Sequence, residues 1–196
     1  MKRINILGLA MLLTGCIQAQ VPPAKDQIGG AILAAPAGDR AEATVLGYVS
    51  PGRMSILKDG TNGLICLADN PDREGFEAVC YHKDLAPYMA RGRELRLEGI
   101  GGSENLAIRE AEVEAGTLSW PTQASTLYVL SGDEGAYDSE SGTAETASLR
   151  YVIYVPFATG ESTGLSELPT LPGAPWLMDS GSYRAHIMVD PPGVDG

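Results

Sequence analysis

The chain has 196 residues, with 14 lysines and arginines against 25 aspartates and glutamates, so its formal net charge is −11 at pH 7. An acidic surface of this kind repels phosphate backbones, which argues against nucleic acid as a partner. The length fits one domain of ordinary size, and 44% hydrophobic residues are enough to form a core.

The first residues predict export. Two basic residues precede an apolar run over 4–13. This run is shorter than the roughly 20 residues needed to span a bilayer, but it has the length of a secretory signal core. The Leu-Thr-Gly-Cys sequence that ends at Cys16 resembles the lipobox of bacterial lipoproteins. That resemblance implies a signal peptide over 1–15 and a diacylglyceryl group on Cys16, while cleavage after Ala19 is the alternative.

The predicted location follows from this processing. Lipid on Cys16 would attach the chain to a membrane, and Ile17 instead of Asp after the cysteine favours the periplasmic face of the outer membrane. The alternative is a soluble periplasmic or secreted protein. Removing residues 1–15 also removes two basic residues and makes the chain more acidic still. Membrane attachment is therefore predicted to run through the lipid and not through a basic face.

Residues 16–41 are rich in Ala, Pro, Gly and Gln and show no clean period, so they predict a flexible tether. The short apolar piece 31–35 is able to dock on the domain, which leaves this boundary soft. The globular part is predicted as a single domain over residues 42–196.

Strand patterns dominate the start of this domain. "ATVLGYVS" and "RMSILKDGTNGLICLAD" predict three short strands, and the dipeptides Asp59-Gly60 and Asn62-Gly63 are typical of hairpin turns. A polar loop over 69–75 follows, and "FEAVCYH" predicts the next strand.

Two helices come next. Asp84 is a plausible N-cap for the first, and Ser103 can cap the second, which is predicted to run to about Ala115 after the break "GIGGS". The second helix presents three alanines on one side. The arginines of the first, Arg91 among them, point away from its apolar face and are either solvated or able to receive an acidic ligand.

The last third returns to strands. "STLYVLSGD" and "SLRYVIYVP" are apolar runs joined by an acidic, Gly- and Ser-rich link over 132–147, and 185–189 predicts a final buried strand. The predicted fold is α+β: an antiparallel sheet of about five or six short strands with an inserted two-helix hairpin and one disulfide.

The disulfide prediction comes from counting cysteines. Once Cys16 carries lipid or is removed, Cys66 and Cys80 remain as a pair in an oxidising compartment, where disulfides persist. A zinc site would need about four ligands, and the pair could reach that number only with His82 and His186. A reactive thiolate at Cys80 beside His82 is the third alternative.

A family resemblance extends over residues 42–190. "DGTNGLICLADNPD", the cysteine pair, "LAPYMARGREL", "LYVLSGD" and "APWLMDSGSYRAHIMV" together resemble a group of small exported bacterial proteins of unknown function. The resemblance implies one exported domain and supplies no activity.

The candidate functional residues are few. His82, with Asp84 and Arg91, is the predicted ligand contact, whereas His186 stands in an apolar strand and is predicted to be structural. No catalytic residue, metal or cofactor is predicted. The leading hypothesis is a non-catalytic, lipid-anchored envelope protein that binds another envelope protein or a small ligand. The alternative is a small periplasmic hydrolase or a ligand- or metal-binding protein that uses His82 or His186.

Overall fold

One eight-stranded sheet organises residues 20–191, the part of the chain that this computed structural model describes. The predicted signal peptide 1–15 and the lipobox residue Cys16 lie outside the described residues. The predicted α+β class is confirmed. The strands are β1 (Thr44–Ser50), β2 (Arg53–Lys58), β3 (Leu64–Leu67), β4 (Phe76–His82), β5 (Ser125–Gly132), β6 (Ser148–Tyr154), β7 (Trp176–Met178) and β8 (His186–Val189).

The sheet is mixed and larger than predicted. Its strand order is β2-β1-β3-β4-β5-β6-β8-β7, and every pair is antiparallel except β1 with β3. The prediction of five or six antiparallel strands is therefore wrong in number and in one pairing. The three-residue edge strand β7 was missed because so short a segment in a Pro- and Gly-rich connection carries no readable alternation.

The predicted hairpin between β2 and β3 is also wrong, because β1 lies between these two strands. The segment 59–63 instead crosses over the start of β1. There the amides of Thr61 and Asn62 both donate to the carbonyl of Glu42, at 2.8 and 3.1 Å. Gly60 permits the crossing, since a Cβ at this position would stand 2.3 Å from the backbone nitrogen of Thr44.

Within residues 20–191, four α-helices accompany the sheet, and two of them form the predicted hairpin between β4 and β5. Neither predicted cap is correct. His82 caps the short 3-10 turn Lys83–Leu85 by accepting from the amide of Asp84, and α3 begins without a side-chain cap, one residue before Ser103. The helices are α1 (Ala24–Ile32), α2 (Ala86–Leu97), α3 (Gly102–Glu114) and α4 (Gly160–Thr163).

The predicted tether over 16–41 is wrong for residues 24–41. Residues 24–32 form α1, and Ala31, Ala34 and Ala35 are almost completely buried against the sheet. Small residues let the helix backbone approach the sheet closely, but they give a weak hydrophobic period. The Ala-, Pro- and Gly-rich composition of this segment therefore indicated a linker, although the segment packs against the sheet.

The two faces of the sheet carry separate cores because side chains alternate along each strand. One face presents Cys66, Ala78, Cys80 and Leu130, and α1 and the 133–147 loop cover it. The opposite face presents residues such as Tyr81, which pack beneath α2 and the segment after α3. No helix within residues 20–191 is long and apolar enough to cross a membrane.

Candidate functional site

A cleft opens at the end of the sheet where β1 and β3 finish and β4 begins. Its volume is about 270 Å³. Helix α1 forms one wall, the loop between β3 and β4 forms another, and the 133–147 loop closes the third. Three carboxylates and two aromatic rings line it, from Asp26, Asp69, Glu134, Phe76 and Tyr137.

Gln27 fixes the helical wall. In a strand of a parallel pair, every second residue turns its N–H and C=O toward the same neighbour. Leu46 uses its carbonyl to accept from Ala68 of the chain leaving β3 at 2.9 Å, but β3 ends there and leaves Tyr48 without a strand partner on that side. The Gln27 amide replaces that partner, accepting from the Tyr48 N–H at 2.7 Å and donating to its carbonyl at 3.0 Å. A third bond, to the carbonyl of Pro22 at 2.8 Å, ties down the start of α1.

The 133–147 loop is held against α1 by an aromatic ring. Tyr137 lies over Gly29 and Gly30, where a Cβ on Gly29 would stand 2.4 Å from the tyrosine hydroxyl. The same ring stacks on Phe76, with centroids 5.6 Å apart and planes inclined by 19°. Glycine inside a helix is unfavourable by roughly 0.5–1 kcal/mol relative to alanine. The two glycines therefore lower the stability of α1, but they leave the space that the Tyr137 ring occupies.

Two of the three cleft carboxylates accept hydrogen bonds from backbone amides. Asp69 accepts from the amide of Glu77 at 2.9 Å, and Glu134 accepts from the amide of Gly75 at 3.1 Å. The ion pairs found within residues 20–191 involve other carboxylates. Burial raises the pKa of Asp69, the two backbone donors that face it oppose this, and the charges of Glu134 and Glu77 add to the rise.

Nearby carboxylates also affect Tyr137, one of the two aromatic residues that line the cleft. Burial raises the pKa of the Tyr137 hydroxyl, and the carboxylates of Asp26 and Asp138 raise it further. A concave site that combines aromatic side chains with carboxylates that have no ion-pair partner favours a positively charged group, since both the charges and aromatic rings attract cations. No group of three or more His, Cys, Asp or Glu side chains able to hold a metal ion occurs in the described part of the chain.

The cysteine prediction is confirmed. Cys66 and Cys80 are directly opposite each other on β3 and β4 and form a disulfide with a Cα–Cα distance of 4.0 Å. Both are fully buried, with the Cys80 sulfur 3.4 Å from the Ala31 carbonyl oxygen beneath α1. The pair is thus neither a metal site nor a free thiol in this structure.

The residues predicted to contact a ligand lie away from the cleft. The first residue of β4, Phe76, borders the cleft, and His82 is the last residue of this strand, at its other end. Nδ1 of His82 is 3.5 Å from a carboxylate oxygen of Asp84. Arg91 makes bidentate contact with Glu112 of α3, with N–O distances of 2.8 to 3.0 Å. Its guanidinium already has a carboxylate partner and joins the two helices, which the sequence pattern could not indicate.

His186 has the structural environment predicted for it. It is 9% exposed, its Nδ1 lies 2.7 Å from the carbonyl oxygen of Arg184, and its ring packs beside Tyr154 at 5.2 Å. Strands β5 and β6 separate it from His82 on β4. Three strand spacings amount to about 14 Å, so the two histidines do not form one site.

No protein-family model matches the sequence, and neither the curated proteins nor the solved structures include a significant match.

Proposed function

We propose that this chain is a non-catalytic binding protein of the bacterial cell envelope, anchored by lipid on Cys16, and that the cleft beside α1 holds a positively charged group of its ligand. The observation that carries the proposal is the cleft lining, which combines Asp26, Asp69 and Glu134 with the stacked rings of Phe76 and Tyr137.

The size of the cleft limits what enters it. Sites for drug-sized ligands usually measure about 300–1,000 Å³. A cleft of about 270 Å³ suits an ammonium or guanidinium group on a short apolar stem. The ligand would place its cation between the carboxylates and its stem along the rings.

The alternative, a hydrolase or metal-binding protein that uses a histidine, has less support. A histidine that acts as general base or metal ligand needs partners within bonding distance. Nδ1 of His186 lies against the backbone carbonyl of Arg184. Nδ1 of His82 accepts a hydrogen bond from the amide of Asp84 and so caps a helical turn. The buried disulfide is compatible with export to an oxidising compartment.

Calorimetric titration tests the cleft. The probe is cadaverine, a five-carbon diamine, and its control is 1,5-pentanediol, which has the same chain without charge. We expect cadaverine to bind and the diol not to bind. Glu134→Gln should weaken binding at least tenfold, whereas Glu145→Gln, an exposed change in the same loop outside the cleft, should leave it unchanged. Equal losses in both variants would contradict the proposal.

The anchor is tested separately. Palmitate labelling in the native host should be lost in Cys16→Ser, and mass spectrometry should find a diacylglyceryl group at the mature N-terminus. A mature chain that begins at Gln20 would refute the anchor and leave the cleft proposal standing.

A further inference from the structure

Helices α2 and α3 lie on the sheet face opposite α1, and this helical hairpin carries three arginines that make no ion pair with a carboxylate of the described residues. Within residues 20–191, the ion pairs of arginine involve Arg73, Arg91, Arg150 and Arg184. The arginines Arg93, Arg96 and Arg109 of the α2–α3 hairpin are not among them. In a chain with 25 acidic residues and only 14 basic ones, three unpaired neighbouring cations require an explanation.

Arg109 reaches this position by crossing from α3 onto α2. Its Nη1 donates to the carbonyl of Tyr88 at 3.3 Å, and its guanidinium carbon lies 4.1 Å from the centre of the Tyr88 ring. Gly92 makes the crossing possible, because a Cβ at that position would stand 3.0 Å from Nη1. The guanidinium therefore rests on α2 itself.

The other two arginines flank it on α2. Successive residues of a helix are turned by roughly 100°, which places Arg96 about 40° from Gly92 and one turn further along, between the directions of Gly92 and Arg93. Arg93 donates to the Tyr81 hydroxyl at 3.2 Å. Three guanidiniums from two helices thus occupy one side of the hairpin.

The local electrostatics agree with this placement. Partial burial lowers the pKa of Arg96, the charges of Arg109, Arg93 and Arg73 lower it further, and the Tyr48 hydroxyl opposes them. The neighbouring Arg91 makes ion pairs with acidic residues, whereas these three arginines have none among the ion pairs of residues 20–191. A bound anion would relieve the repulsion.

We propose that Arg93, Arg96 and Arg109 form a binding site for a phosphate group, on the sheet face opposite the cleft. A phosphate dianion matches three guanidiniums better than a single carboxylate does, in both charge and number of acceptor oxygens. Arg96, the most exposed of the three, would make the first contact. This site is independent of the cleft and of the lipid anchor.

The test uses the purified protein and inorganic phosphate. Thermal unfolding and calorimetry are measured at constant ionic strength while sodium phosphate replaces sodium chloride. We expect a saturable rise in Tm together with measurable binding heat. Sodium acetate at the same ionic strength should produce at least a tenfold weaker response.

Two variants decide where phosphate binds. Arg96→Gln should reduce the phosphate affinity at least tenfold, and because it removes like-charge repulsion it should not lower the Tm measured without phosphate. Arg150→Gln, which removes an exposed arginine paired with Asp190, should bind phosphate as the wild type does. Equal responses to phosphate and chloride, or equal losses in both variants, would overturn the proposal.

Discussion

Replacing Gln27 by alanine is the sharpest perturbation of the cleft wall. The substitution removes three hydrogen bonds, of 2.7, 2.8 and 3.0 Å, and leaves the N–H and C=O of Tyr48 without their partner. Each bond contributes a net free energy of about 0.5–1.5 kcal/mol, so the three together amount to a loss of about 1.5–4.5 kcal/mol. The gain in helix propensity from alanine offsets only a few tenths of a kcal/mol.

Urea unfolding followed by circular dichroism measures this loss. The matched control is Lys25→Ala, an exposed position in the same helix with no hydrogen bond to the sheet, which should change the stability by less than about 0.5 kcal/mol. Gln27→Ala should also abolish cadaverine binding, because the wall that carries Asp26 is no longer fixed. A loss below about 0.5 kcal/mol would refute the reasoning that Gln27 completes the end of β1.

Three further predictions concern the disulfide, His186 and Asp69. Replacing both Cys66 and Cys80 by alanine should lower the unfolding free energy by about 3 kcal/mol, and peptide mapping without reductant should recover the linked pair from the native protein. His186→Asn should lower the Tm but leave cadaverine affinity unchanged, whereas a loss of affinity at unchanged Tm would give this residue a role in binding. Because the pKa of Asp69 is raised in the folded state, its ionisation opposes folding, and this penalty is absent at low pH and grows as the pH rises from the unfolded to the folded pKa. Asp69→Asn should therefore be more stable than the wild type at pH 7 and not at pH 3, and the same difference at both pH values would contradict the shift.

The strands with aliphatic and β-branched residues were predictable, because an alternating pattern such as that of β4 reports directly on burial. The disulfide followed from cysteine parity and compartment. The crossing at Gly60 was not predictable, because the same Asp-Gly and Asn-Gly dipeptides serve a hairpin and a crossover equally well, and only the pairing of β1 with β3 decides between them.

The cleft could not be predicted, for related reasons. Its walls come from segments that read as linkers: α1 packs through alanines, and the 133–147 loop contributes one ring and one carboxylate. The one local signal was the Gly29-Gly30 pair inside a helix, which marks a close approach but does not identify Tyr137 as the neighbour. For Arg91 the prediction failed in the opposite way, because it named a residue that is not at the cleft. Its charge suggested a ligand contact, but its partner is Glu112, which lies 21 residues further along the chain.

The location of a bound cation tests the central claim most directly. Backbone amide shifts recorded during a cadaverine titration should change at Gly30, Gly75, Phe76 and Tyr137 with a single dissociation constant, and 1,5-pentanediol should leave them in place. Small, non-saturating shifts spread over exposed acidic residues, with the cleft amides unmoved, would show that the cation meets only the general negative charge of the protein and would contradict the account.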